Sequence, residues 1–288
     1  MKRIPESELV LNSKGRIYHL NLAPEDLAKN VILVGDPARA DLVASFFDSI
    51  EYSGQNREIC TRTGVFQNKR VSVVSTGMGT DNIDIVINEL DALVNIDLKK
   101  RVVKKEKTSL NLVRIGTSGG LQPFLDVNTF LFSSHGIGLD GLLHYYAGSS
   151  EFRDSILEQV IASDLEWPQR WPSPYVVEAD AELMERISEN FLRGLTLTAS
   201  GFYGPQGRVL RLPLHYPEFN KKVEDFSFRG QRITNFEMET SALYGLGRML
   251  GHKTLTACVI IANRTTKSFS KNYQPAMKKL IKHVLTKI

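Results

Sequence analysis

The sequence predicts an α/β protein, a layered sheet with helices on both faces. Short β-branched runs recur along the chain, helical patterns lie between several of them, and most runs end in glycine-bearing turns. Val31-Ile32-Leu33-Val34 is the first run, followed by Gly35-Asp36-Pro37. Val71-Ser72-Val73-Val74 is the second and ends in Thr76-Gly77-Met78-Gly79. Ile83, Val86, Ile87, Leu90, Leu93 and Val94 then keep the 3.6-residue spacing of an amphipathic helix. Leu112-Val113-Arg114-Ile115 is a strand closed by Gly116-Thr117-Ser118-Gly119-Gly120, and Thr129-Phe130-Leu131-Phe132 is another. Leu183, Ile187, Phe191 and Leu192 repeat the helical spacing before the strand Leu195-Thr196-Leu197-Thr198. A helix is expected from Met238 to Leu250, a strand from Leu255 to Ile261, and a last helix from Pro275 to Ile288.

The 288 residues are 42% hydrophobic, enough for a sizeable core, and no compositional shift marks a linker. One domain over 1–288 is expected. The net charge is +4, and basic residues concentrate in Lys99-Lys100-Arg101 and Lys104-Lys105-Glu106-Lys107. Without interleaved aromatics this stretch reads as a solvated surface loop, so no nucleic-acid partner is expected. Cys60 and Cys258 form neither a disulfide framework nor a metal-ligand spacing, and no metal is expected. Met1-Lys2-Arg3-Ile4-Pro5-Glu6 lacks an apolar signal core, and no run approaches the ~18 apolar residues of a membrane span. The expectation is a cytoplasmic protein without a membrane partner.

Three groups of residues carry chemistry. In Phe202-Tyr203-Gly204-Pro205-Gln206-Gly207-Arg208 an amide and a guanidinium stand two residues apart behind an aromatic pair. An amide offers a donor beside an acceptor and a guanidinium offers only donors, which together match the edge of a pyrimidine dione. The aromatics suit its flat face. Arg39 follows Gly35-Asp36-Pro37-Ala38, and Arg114 sits inside an apolar strand just before Gly116-Thr117. A buried arginine needs a counter-charge. That partner is either an internal carboxylate, such as Asp36 or Glu239, or a bound phosphate, which two arginines beside glycine turns suit better. No Walker loop or GxGxxG is present. In Asn235-Phe236-Glu237-Met238-Glu239-Thr240 two carboxylates flank a methionine where a strand gives way to a helix. They read as acids at a helix start, as a sugar site in which a carboxylate accepts from vicinal hydroxyls, or as a glycosidase acid/base pair.

Taken together with His19 in YHLNL, GDPAR at 35–39, NRE at 56–58, STGMG at 75–79, RIGTSGG at 114–120, FYGPQGR at 202–208, FEMET at 236–240 and NRT at 263–265, these segments occur in the order seen in one family. The chain resembles the uridine phosphorylase branch of the nucleoside phosphorylases over nearly its full length. RIGTSGG and the pairing of QGR with EMET are the distinctive parts.

The resemblance implies a single-domain three-layer α/β/α fold with a mixed central sheet, phosphorylase/hydrolase-like. It implies that Gly35, Arg39, Arg114 and Thr117 bind phosphate, joined by Arg57 from a neighbouring subunit. Thr117, Glu237, Met238 and Glu239 are implied to hold the ribose, with His19 of the neighbour at its 5′-hydroxyl. Gln206 and Arg208 would read uracil, with Phe202 packed on it and Arg264 near a base carbonyl. Arg208, Gln206 and Arg114 would be the catalytic donors. The activity implied is reversible phosphorolysis of uridine, with inorganic phosphate as co-substrate and no cofactor; whether other pyrimidine nucleosides are also used is left open. Shared sites imply at least a homodimer, with a hexamer common in bacteria. Bacterial relatives can hold a monovalent cation near the STGMG turn and Glu58, but Asn82 stands where they have serine, which weighs against it. The basic stretch 99–107 and the segment from Trp167 to Pro174 also depart from the family. A purine nucleoside phosphorylase is the runner-up, weakened because Asn263-Arg264 replaces the aspartate such enzymes use. A hydrolytic nucleosidase and a non-catalytic nucleoside-binding protein are the further alternatives.

Overall fold

The structure, a computed structural model, describes residues 2–288. In chain order it contains β1 (Asn30–Val34), α1 (Pro37–Ala44), β2 (Ser49–Asn56), β3 (Ile59–Phe66), β4 (Lys69–Ser75), α2 (Thr80–Asn95), β5 (Ile96–Asp97), β6 (Val102–Val103), β7 (Asn111–Gly120) and β8 (Phe130–Gly138). There follow α3 (Ser155–Asp164), β9 (Tyr175–Glu178), α4 (Ala181–Ile187), β10 (Leu192–Thr198), α5 (Phe219–Asp225), β11 (Ile233–Glu237), α6 (Thr240–Met249), β12 (Lys253–Asn263), β13 (Ser268–Phe269) and α7 (Gln274–Lys287).

One mixed sheet of eleven strands organises the chain. β1 lies between β4 and β7, parallel to both, and the β2–β3 hairpin continues the sheet from β4. β12 runs parallel to β7 and antiparallel to β8, while β10 is parallel to β8 and to β11. β11 then meets the far end of β7, antiparallel, at Gly119 and Gly120. The strands β7, β12, β8, β10 and β11 therefore close a ring, and the loops at its rim converge.

Helices cover both faces because strand side chains alternate. Leu195 and Leu197 of β10 belong to an apolar cluster with Leu157 and Ile161 of α3 and Phe219 and Val223 of α5. Thr198, on the opposite face, accepts from the Ser241 backbone N–H of α6. A larger cluster unites β1, β4 and β7 with α2, α6 and α7. The sheet with flanking helices thus matches the expected class.

Three local expectations need correction. The helical spacing through Phe191 and Leu192 does not continue: α4 ends at Ile187, Ser188 Oγ donates back to the Met184 carbonyl, Asn190 turns left-handed at φ 65°, and Leu192 opens β10. Gly116 to Gly120 is not a turn but the second half of β7, paired along β12. Its first glycine answers a close approach, because the Arg114 guanidinium lies over Gly116. The segment at 99–107 is no plain loop, since β5 and β6 form a hairpin with Arg101 at its turn (φ 56°) and the Asn95 amide bracing Thr108. Among the described residues no helix is long and apolar enough to cross a membrane.

Candidate active site

A cavity of about 730 Å³ opens at the rim of the strand ring, well inside the usual ~300–1,000 Å³ of small-molecule sites. Gly35, Arg39, Arg114, Thr117, Phe202, Gln206, Arg208, Glu237, Met238 and Glu239 all line it. Elements far apart in sequence bring them there: the end of β1, the middle of β7, the turn after β10 and the junction of β11 with α6.

Arg114 is the hub. Its side chain is buried, and Nη2 donates to Glu239 Oε2 while Nη1 lies 3.3 Å from Glu237 Oε2. Asp36 is not its partner, because that carboxylate caps α1 at the Ala38 N–H, 2.9 Å away. Burial works to lower the Arg114 pKa, but Glu239 and then Glu237 more than offset it, and the guanidinium is held charged. Its Nε is buried without a partner among the described residues, and Cys258 Sγ stands 3.6 Å from Nη1. Burial pushes the Cys258 thiol up to about 11, so it stays neutral beside the arginine.

The two glutamates do different work. Glu237 accepts from Thr198 Oγ1 at 2.7 Å and from the backbone N–H groups of Glu239 and Thr240 at 2.9 and 3.0 Å. It therefore satisfies the open start of α6. Both Glu237 oxygens are engaged at the start of α6, which leaves it a structural place in the site rather than a free acid/base one. Glu239 accepts from Arg114 and from the Gly79 N–H at 2.9 Å. Gly79, at φ 98°, precedes α2, so the turn after β4 is tied to the acidic pair. Burial raises the Glu239 pKa and the neighbouring Glu237 adds to this, against the pull of Arg114.

At the other end of the cavity the 202–208 turn is locked internally. Arg208 Nη1 donates to Gln206 Oε1 at 2.5 Å and to the Phe202 carbonyl at 2.7 Å, and its guanidinium lies 3.8 Å above the Phe202 ring. Gln206 is 3% exposed. Burial and then the charge of Arg264 pull the Arg208 pKa down to about 10. Arg264 does not line the cavity. It donates to the carbonyls of Gln206 at 2.7 Å and Gly207 at 3.1 Å, holding the turn from behind.

Arg39 reaches the cavity half-buried, with no carboxylate within ion-pair distance among the described residues. His19 and Arg57 are outside the cavity. His19 Nδ1 lies 2.6 Å from Glu89 on α2, and exposed Arg57 sits at φ 53° in the β2–β3 turn. Sequence reasoning missed Phe269, which is 71% exposed at the mouth, and Ile261 beside it. An isolated phenylalanine in a polar stretch carries no signal in the sequence; only the β12–β13 pairing of Ala262 with Phe269 brings it there.

Comparison with known proteins shows what the chain is similar to. A family model described as the phosphorylase superfamily matches residues 29–288. A uridine phosphorylase of Thermococcus kodakarensis is 29% identical over 94% of this chain and 86% of its own. One from Treponema pallidum is 28% identical over 87% and 84%. Among solved structures, a Trypanosoma brucei nucleoside phosphorylase, described as showing uridine phosphorylase activity, superposes with a TM-score of 0.86 at 28% identity, covering 96% of this chain and 98% of that one.

Proposed function

The chain belongs to the phosphorylase superfamily, and from that premise we propose that it is a uridine phosphorylase, converting uridine and phosphate reversibly to uracil and ribose 1-phosphate. One observation carries the reading. A single cavity is lined by the amide–guanidinium pair Gln206 and Arg208, by Arg39 and Arg114 beside glycine-bearing backbone, and by Met238 and Glu239.

Phosphate lies against Arg39, Arg114, Gly35 and Thr117. Glu239 accepts from ribose hydroxyls, Met238 packs on the sugar, and Gln206 and Arg208 pair with the dione edge while Phe202 packs on the ring. A phosphate oxygen attacks the anomeric carbon as the N-glycosidic bond breaks, and its electron pair leaves with the base. No enzyme nucleophile is needed, and positioning supplies much of the rate. The departing uracil spreads negative charge over its carbonyls, where Gln206 and Arg208 stabilise it. Glu237 serves the sugar site indirectly, fixing the start of α6 and the angle of Arg114.

His19 and Arg57 complete the site of a second copy, so the working enzyme is at least a dimer and fits a hexamer of such pairs. His19 Nδ1 faces Glu89, which leaves Nε2 for a 5′-hydroxyl. The reaction requires no cofactor besides the co-substrate phosphate. A phosphate-dependent ultraviolet assay across uridine, thymidine, inosine and adenosine tests the proposal. Uridine cleavage that requires phosphate is expected. Preferred cleavage of inosine marks a purine enzyme, free ribose without phosphate a hydrolase, and uracil binding without turnover a binding protein.

A further inference from the structure

We infer that Asn220, backed by the segment around Trp167 and Trp171, is a positioning residue that sets the base-recognising turn. The inference rests on the reading of Gln206 and Arg208 as the groups that meet the base. The Gln206 carbonyl accepts from Arg264 Nη1 at 2.7 Å and from Asn220 Nδ2 at 3.3 Å. Gly207 is left-handed at φ 67°, and a Cβ there would lie 2.2 Å from Asn220 Nδ2, so the amide sits directly against the turn. Among the described residues Asn220 Oδ1 is buried without a partner, which leaves the bond to the turn as the one polar contact of that amide there.

Asn220 is the second residue of α5, and its neighbour Phe219 is 3% exposed in an aromatic nest. The Phe219 ring centre lies 5.2 Å from Trp171, 5.8 Å from Trp167 and 5.9 Å from Tyr216. Trp167 Nε1 donates to the Pro172 carbonyl, Tyr216 donates to the Leu165 carbonyl, and Lys222 on α5 pairs with Glu166 at 2.7 Å. Segment 165–172 thus grips α5 from the side away from the turn. Since the amide has to align the Gln206 backbone by a single hydrogen bond, the stiffness of that grip decides how well the Gln206 side chain is presented.

The chain contains only two tryptophans, both in this nest, so intrinsic tryptophan emission reports on it alone. Asn220→Asp keeps the side-chain shape but removes the N–H, and Asn220→Ala removes the amide. Loss of one neutral hydrogen bond predicts a KM for uridine raised about fivefold in each, with the KM for phosphate unchanged within about twofold. Uracil is expected to change the tryptophan emission of the wild type, and Asn220→Asp to abolish that response at saturating uracil. Trp171→Phe, which keeps a ring in the nest, should hold the uridine KM near the wild-type value. An unchanged uridine KM in both Asn220 variants, an equal rise in the two KM values, or a silent wild-type emission overturns the inference. A wild type that neither binds uracil nor cleaves uridine instead refutes the reading of Gln206 and Arg208.

Discussion

Replacing Gly116 by alanine tests the arginine hub directly. A Cβ at that position would lie 2.2 Å from Arg114 Nη1, 2.8 Å from Cζ and 3.1 Å from Nη2. The end of a flexible side chain usually yields, but this guanidinium is buried and gripped by Glu239 and Glu237. Moving it leaves two carboxylates buried with a misplaced partner, and breaking such a pair costs about 3–5 kcal/mol. Alanine returns about 0.5–1 kcal/mol through its lower backbone entropy, for a net loss of about 2–4 kcal/mol. Unfolding entropy of about 2.1 cal/mol/K per residue gives about 600 cal/mol/K for the 288-residue chain, so Tm should fall by about 3–7 °C. The same displacement takes a cation from the anion subsite, and each 1.4 kcal/mol lost there raises the KM for phosphate about tenfold. Differential scanning calorimetry and phosphate titrations at saturating uridine read the two effects. A Gly116→Ala enzyme with wild-type Tm and wild-type phosphate KM would refute the geometry assigned to Arg114.

Arg39→Ala should raise the phosphate KM about tenfold while Tm moves by no more than about 2 °C, because the side chain has no ion pair to lose; initial-rate kinetics and a thermal melt check both parts. Arg208→Ala should cut kcat for uridine by about 100- to 1,000-fold, as the loss of one preorganised donor to a developing anion does, with single-turnover rates as the measurement. The cationic form of Arg208 is present below its folded pKa of about 10 and is lost as pH rises through it, so kcat/KM should fall on an alkaline limb there. Arg264→Gln removes a charge that depresses that pKa and should move the limb upward. At phosphate well below its KM, where Arg57→Ala and Arg208→Ala are each impaired, their co-expression should restore full activity to up to about a quarter of the sites, since in a mixed pair one site keeps both arginines; no recovery would place Arg57 outside the partner's site.

How far the chain is legible depends on whether its signals are local. The strands at 31–34, 71–74, 112–115, 195–198 and 255–261 are short runs rich in β-branched and apolar residues, buried on both faces, and the structure has them all. The β2–β3 hairpin escaped because its first strand is polar and largely exposed, with no buried face to leave a period-2 trace. Gly116 to Gly120 misled because glycine signals both turns and close approaches, and only the position of Arg114 tells which applies. The candidate site shows the same division. Gln206, Arg208, Glu239 and Arg114 stood out because each is polar or charged in a context that does not otherwise call for it. Phe269 and Asn220 did not, since what makes them neighbours of the cavity or the turn is a strand pairing in one case and an aromatic nest in the other.

The charges of the cavity bear on the proposal that a second copy completes the site. Arg39, Arg114 and Arg208 supply three positive charges to its wall, whereas Asp36, Glu58, Glu237 and Glu239 supply four negative ones. Two of the negatives are already committed to Arg114, and the start of α6, which would otherwise attract an anion, is filled by Glu237. A phosphate dianion entering this chain alone meets one uncommitted arginine, Arg39, at the anion end, with Arg208 held at the base end by Phe202 and Gln206. Affinity for such an anion grows with the number of guanidinium forks that reach it. Exposed Arg57, on the β2–β3 turn next to Glu58 but outside the lining of its own cavity, is the group proposed to supply the missing fork to a neighbour. On the proposed assembly the buried pair of Arg114 with Glu239 has a use besides stability, because it fixes one fork in place before phosphate arrives, while Arg39 offers a second and the third depends on the partner. Dilution below the dimer dissociation constant should therefore weaken phosphate binding before it weakens binding of uracil.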